Sequence, residues 1–70
     1  MKQVKTNMAG NVWKIQVGVG DEVTAGQEVV ILESMKMEIP ITAEESGVVD
    51  ELKVEEGSFV NEDDVLLTLK

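Results

Sequence analysis

A flattened barrel or sandwich of antiparallel strands, assembled from two similar halves, is expected from three features of this 70-residue chain. Short runs rich in valine and isoleucine alternate with glycine-containing turns, as strands do, and no stretch keeps a helical period long enough to make a helix. Shifted by 37 positions the chain matches itself without a gap. Gly10 falls on Gly47, Val12 on Val49, Ile15 on Leu52, Val17 on Val54, Gly20 on Gly57, Val23 on Val60, Val29 on Leu66 and Leu32 on Leu69. Neither half is large enough to bury its own apolar face, so the two must pack on each other with pseudo-two-fold symmetry. One domain spanning residues 1–70 is expected. A chain of this size buries only about 60% of its unfolded surface, so its core is thin and its function cannot need a deep pocket.

Taken in order, strands are expected over Gln3–Thr6, Asn11–Val17, Glu28–Ser34, Glu38–Thr42, Gly47–Val54 and Val65–Leu69, with very short ones around Val23 and Val60. In both copies the apolar spacing runs three and then two, at Val12, Ile15 and Val17 and again at Val49, Leu52 and Val54. That breaks strict alternation, and an extra residue in a bulge would account for it. The glycines read as turn positions. Gly20 and Gly57 each precede a polar residue and a valine, where positive φ or backbone room is wanted. A phosphate-binding role for Gly18-Val19-Gly20 is set aside, since no helix follows to supply an anion site. Trp13, the only tryptophan, is expected to pack at the sandwich edge rather than stack on a cofactor.

Composition excludes several kinds of function. There are no cysteines and no histidines, so disulfides are absent and the side chains most used as nucleophile and base are missing. An independent enzyme is not expected, and metal binding would fall to carboxylates alone. The acids, clustered at Glu44-Glu45, Asp50-Glu51, Glu55-Glu56 and Glu62-Asp63-Asp64, lack the alternating pattern followed by glycine that a calcium loop uses. Six lysines against fourteen acids give a net charge of −8, which repels nucleic acid and anionic membrane surfaces. The longest apolar run, Val29-Val30-Ile31-Leu32, is far short of a membrane span, and the first residues lead into no signal core. Lack of cysteine fits a reducing compartment, and a cytoplasmic monomer is expected.

The repeat places Lys36 past the end of the first copy, between the strands Glu28–Ser34 and Glu38–Thr42. A two-residue connection at Met35-Lys36 would be a tight hairpin. Such turns favour Asn-Gly because both central residues need positive φ, so Met-Lys is a poor local choice. Departures of this kind cluster at functional sites. The two-fold would carry the equivalent position beyond Lys70, so the termini are expected at the end of the domain opposite Lys36.

Glu33-Ser34-Met35-Lys36-Met37-Glu38 resembles the attachment sequence of biotinyl domains, the carrier modules of biotin-dependent carboxylases. The resemblance covers nearly the whole chain. Thr6-Asn7-Met8-Ala9-Gly10 is similar to the family's opening turn, which more often has proline where Asn7 stands. Gly20-Asp21-x-Val23, Gly26-Gln27, Gly47 and Gly57 fit its connecting turns and second half. Ser34 stands where alanine is usual; both are small. No room exists between Gly10 and Gly20 for the protruding thumb of some bacterial acetyl-CoA carboxylase carriers, so a thumbless barrel-sandwich hybrid is implied. In size and completeness the chain resembles a free-standing biotin/lipoyl attachment protein.

The resemblance implies biotin joined covalently to Lys36 through an amide, and a carrier that shuttles an activated carboxyl group between the active sites of a carboxylase. Its implied partners are a biotin protein ligase and the biotin carboxylase and carboxyltransferase components. Met35 and Met37 would form an apolar collar that the ligase reads, with Glu33, Ser34 and Glu38 beside it. Flexible, polarizable methionine suits contact with several partners. The lysine stem and cofactor chain span roughly ten bonds, giving a reach on the order of 14 Å. Related lipoyl domains usually carry Asp-Lys-Ala at this turn. Lipoate on Lys36, loaded by a lipoyl ligase, is thus the alternative, and an unmodified protein-interaction module of the same fold is the third.

Overall fold

Branched aliphatic side chains favour extended backbone because they pack well on a pleated surface, and strands form wherever they recur along this chain. The computed structural model describes residues 2–70. Its elements are β1 (Lys2–Lys5), β2 (Gly10–Ile15), β3 (Glu22–Val23), β4 (Glu28–Ser34), β5 (Met37–Thr42), β6 (Gly47–Leu52), β7 (Phe59–Val60) and β8 (Val65–Leu69). They form two antiparallel four-stranded sheets, ordered β1-β8-β6-β3 and β5-β4-β2-β7. The 37-residue shift maps β1 on β5, β2 on β6, β3 on β7 and β4 on β8, and so maps one sheet onto the other.

The halves are exchanged, not merely stacked. Strand β3 of the first copy joins β6 of the second, and β7 of the second joins β2 of the first. The backbone bonds between copies come in related pairs. Gly20 N–H donates to the Val49 carbonyl at 2.9 Å, and Gly57 N–H to the Val12 carbonyl at 2.7 Å. Gly26 N–H donates to Ala43 O at 2.7 Å, and Asp63 N–H to Thr6 O at 2.8 Å. Each half therefore satisfies polar backbone groups of the other. Neither has a complete sheet alone.

Four bulges also come in pairs. Trp13 and Asp50 are the extra residues in β2 and β6, which explains the three-then-two spacing. Val29 and Leu66 are the extra residues in β4 and β8. There the added residue lets two successive side chains face inward, so Val29 and Val30 are both fully buried, as are Leu66 and Leu67. With Val12, Leu32, Val49 and Leu69 they make one continuous aliphatic core drawn equally from both copies. The molecule measures 32 × 19 × 18 Å, too slender to enclose a deep cavity.

Several expectations need correcting. Strands β2 and β6 stop at Ile15 and Leu52, not at Val17 and Val54. Gln16 and Lys53 still donate to Val29 O and Leu66 O, but beyond them the chain crosses to the opposite sheet. Val17 is a core residue outside the ladder, which is why it reads as strand. Gly10 is not a turn residue, and Gly47 opens its strand as expected. They open β2 and β6, where a Cβ would lie 3.0 Å from the Glu33 carbonyl oxygen and 2.9 Å from that of Lys70. Glycine is required there by close approach. Trp13 is not at a sheet edge either; it stands on the outer face of β2, between β4 and β7, and is 42% exposed.

Candidate attachment site

Strands β4 and β5 make the longest ladder of the molecule, with six paired positions from Glu28↔Thr42 to Ser34↔Met37 and an unbroken run from Val30↔Ile41 to the turn. Only Met35 and Lys36 join them. Their φ angles are 52° and 65°, both left-handed, as a two-residue turn matched to the strand twist demands. Neither side chain suits this backbone. Elsewhere among the described residues positive φ falls on Gly20 (93°), Gly57 (94°) and Gly26 (89°), and on Asp63 (71°), the counterpart of Gly26 and a residue type that tolerates this region. The 35–36 turn keeps two bulky residues instead.

The residues around the turn divide by strand parity. Met37 and Ser34 lie on the inward side at the end of the ladder, and Glu33 and Glu38 face each other directly on the outer face, both exposed. Facing carboxylates repel, so this pair is not there for stability. Ser34 is half-buried against Gly10, where an added Cβ would lie 3.4 Å from the Ser34 Cβ, so the glycine makes room for the end of the hairpin. Met35 is 93% exposed and Met37 63%, so the two methionines flank the lysine as a collar in solvent and contribute nothing to the core.

Lys36 is exposed, and among the described residues its Nζ makes no hydrogen bond or ion pair. Most other lysines are engaged. Lys2 donates to Ser46 O at 2.7 Å, Lys53 pairs with Glu51 at 2.9 Å, Lys70 approaches Asp50 at 3.7 Å, and Lys14 lies 5.5 Å from the centre of the Trp13 ring. Lys5 lies on edge strand β1, beside a shallow polar groove with Asn7, Thr42 and Glu44. That groove includes no residue of the 35–36 turn. Lys36 thus combines a free amine, a projecting two-residue turn and a rigid two-stranded base. An arrangement of this kind fits covalent attachment of a cofactor through the amine, because the tether is presented on a regular element and nothing must be broken to reach it.

The termini mirror the hairpin. Lys2 pairs with Leu69 in one sheet as Ile39 pairs with Leu32 in the other. Sequence reasoning missed one further feature. Trp13, Ile31, Pro40 and Phe59 all face outward on the hairpin's sheet, and comparing each with its position in the other copy would have exposed the difference.

The family model described as "Biotin-requiring enzyme" matches residues 2–69. The "Biotin/lipoyl attachment protein" of Bacillus subtilis is 64% identical over 66 residues, covering 94% of this chain and 90% of that one. The "Biotin carboxyl carrier protein" of Streptococcus mutans is 44% identical across 89% of this chain, which spans 48% of that relative. Against the crystal structure of the Kluyveromyces lactis urea carboxylase, 99% of this chain superposes with a TM-score of 0.91 at 32% identity, on 6% of that chain. The chain belongs to the biotin/lipoyl attachment-domain family.

Proposed function

We propose that the chain is a non-catalytic carrier bearing biotin on Lys36 and serving a biotin-dependent carboxylase. The observation that carries this reading is the free Lys36 amine in a strained Met-Lys turn at the end of a six-rung hairpin. Loading makes one amide bond. Lys36 Nζ gives up protons to a base on the ligase and attacks the carboxyl carbon of biotin, which the ligase has activated as an acyl donor; the activating group leaves. Bound there, biotin supplies the atom that accepts and releases an activated carboxyl group. The protein supplies position. Its ladder fixes the direction of the tether, the exposed methionines and the Glu33, Ser34 and Glu38 side chains give the ligase its cue, and the acidic surface keeps the domain soluble.

Several relatives that align over nearly the whole chain are larger carboxylases. The α chain of human mitochondrial propionyl-CoA carboxylase is 36% identical over 96% of this chain and 9% of its own length. By analogy the partners are a biotin carboxylase and a carboxyltransferase, and we propose a biotin protein ligase as the loading partner of a cytoplasmic, monomeric carrier. A lipoyl carrier is the second reading, favoured by the double name of the Bacillus subtilis relative. Met35 and Met37 in place of the acid and alanine usual beside a lipoylated lysine favour biotin.

Protein coexpressed with a biotin protein ligase is expected to be captured by streptavidin and to gain the mass of one biotin, and Lys36→Ala to lose both while keeping its fold. Capture of the Lys36→Ala protein, or a mass increase matching lipoate in protein from its native source, would overturn the reading.

A further inference from the structure

The pseudo-two-fold supplies an internal control for what the fold itself demands. Each outward-facing position of the hairpin's sheet has a counterpart, on the same backbone, in the other sheet. Trp13 corresponds to Asp50, Ile31 to Thr68, Pro40 to Gln3 and Phe59 to Glu22. At Gln3, Glu22 and Asp50 this geometry carries polar side chains on its outer positions, whereas Thr68 is buried, so Trp13, Pro40 and Phe59 in particular serve something other than folding. Phe59 is 63% and Trp13 42% exposed, with Pro40 exposed and Ile31 half-buried beside them. Exposed aromatic side chains gathered on one face mark interaction surfaces more often than chance placement does.

The face is continuous with the attachment turn. Phe59 pairs across β2 with Asn11, Asn11 with Glu33, and Glu33 with Glu38, which form one outward row directly behind the Ser34↔Met37 pair. Trp13, Ile31 and Pro40 fill the next outward row. With strands about 4.8 Å apart, Phe59 lies roughly 10 Å from Glu33. Acids edge the face, and Lys14, paired with Ile31 and 5.5 Å from the centre of the Trp13 ring, places one base on it. Glu33 and Glu38 border it near the turn, and Glu56, whose Oε2 accepts from Ile15 N–H at 3.0 Å, borders it at the far end of β2.

We infer that this face, formed by Trp13, Ile31, Pro40 and Phe59, is the surface on which the biotin ligase rests while it takes Lys36 into its active site. The ligase would meet it with an apolar patch edged by basic side chains. The inference rests on the attachment reading and adds a recognition surface outside the Met-Lys-Met turn. Reach selects the ligase over the carboxylase. An unloaded lysine extends its amine only about 6 Å from the backbone, so the loading enzyme must close on the hairpin and run along its flank. A loaded arm of ~14 Å lets a carboxylase site be served without contact there. Charge selects it over a second copy of this chain. Two such faces would bring acidic rims together in a protein of net charge −8.

The test is steady-state biotinylation of the purified, unmodified 70-residue protein by a purified biotin protein ligase with biotin and ATP. Trp13→Thr with Phe59→Thr is expected to raise KM for the carrier about tenfold with kcat little changed, because docking and not chemistry is affected. Trp13→Leu with Phe59→Leu, which keeps an apolar face, should restore most of the loss. Glu22→Ala with Asp50→Ala, on the opposite sheet, should leave KM within twofold of the parent. Amide spectra establish that each variant is folded, and the single Phe59→Thr change serves if the double variant is not. An unchanged KM in folded threonine variants overturns the inference while leaving Lys36 as the attachment site. So does dimerisation of the parent that the threonine changes abolish. If the parent itself is not modified at Lys36, it is the attachment reading that fails.

Discussion

The hairpin at 35–36 and the crossings at 20 and 57 all turn the chain through positive φ, yet they are built from opposite residues. Gly20 and Gly57 adopt 93° and 94° without a side chain to resist, and each donates its N–H to the other copy. Met35 and Lys36 adopt 52° and 65° against their side-chain preference and, among the described residues, make no comparable bond to the other copy. The crossings hold the sandwich shut, and conformational ease there contributes to stability. The hairpin holds nothing shut. Its ladder tolerates the strain because the paired strands beneath it are fixed by the core. The difference locates function where local preference and observed backbone disagree.

The strongest challenge to this contrast is aimed at the core that both copies share. Leu32 and Leu69 are related by the 37-residue shift and are 0% and 1% exposed. Truncation of either to alanine is expected to cost about 2–5 kcal/mol, by similar amounts for the two, in denaturant titration. A large effect at one and a negligible effect at the other would show that the halves are not equivalent in energy despite their geometry.

A smaller effect sharpens the account of the turn. Met35→Asn with Lys36→Gly gives the turn the residues its backbone prefers and should raise stability by about 1–2 kcal/mol while abolishing attachment. No gain would mean that the turn carries no strain. The smallest effect concerns loading. Lys36 has no ion pair among the described residues, so joining biotin to it should leave the melting temperature nearly unchanged at physiological ionic strength. At low salt a slight loss is expected, since the facing Glu33 and Glu38 lose a nearby positive charge. Amide shifts on loading should be confined to Ser34–Glu38; changes reaching both copies would mean that Lys36 is part of the packed structure.

Much of this architecture could be read from residues alone, and the misses have physical reasons. Strands β4 and β8 match the expected Glu28–Ser34 and Val65–Leu69 because their apolar runs end at polar or turn residues. The repeat predicted the bulges in β2 and β6, since a bulge leaves its mark on spacing. It did not place their ends, because Val17 is buried just as a strand residue would be although it lies past the ladder. Gly10 reads as part of a turn because glycine in sequence does not say whether it is needed for φ or for space. The two-residue turn was legible as a conflict between Met-Lys and the hairpin around it. The outer apolar face was legible only as differences between the two copies, because its residues come from β2, β4, β5 and β7 and meet only through the register of the sheet.

The regularity of the hairpin bears on how much a carrier gains over a dissolved cofactor. Six paired positions and a two-residue turn leave the lysine backbone almost no freedom to wander relative to the domain. A group tethered there by an arm of ~14 Å explores at most a half-sphere of about 6,000 Å³, equivalent to roughly 0.3 M. A floppy turn of several residues would enlarge that volume and dilute the group severalfold, since volume grows with the cube of reach. Once such a domain is seated beside an enzyme, the active site sees its cofactor at a concentration no cell could maintain in solution, and that advantage is set by the shortness of one turn.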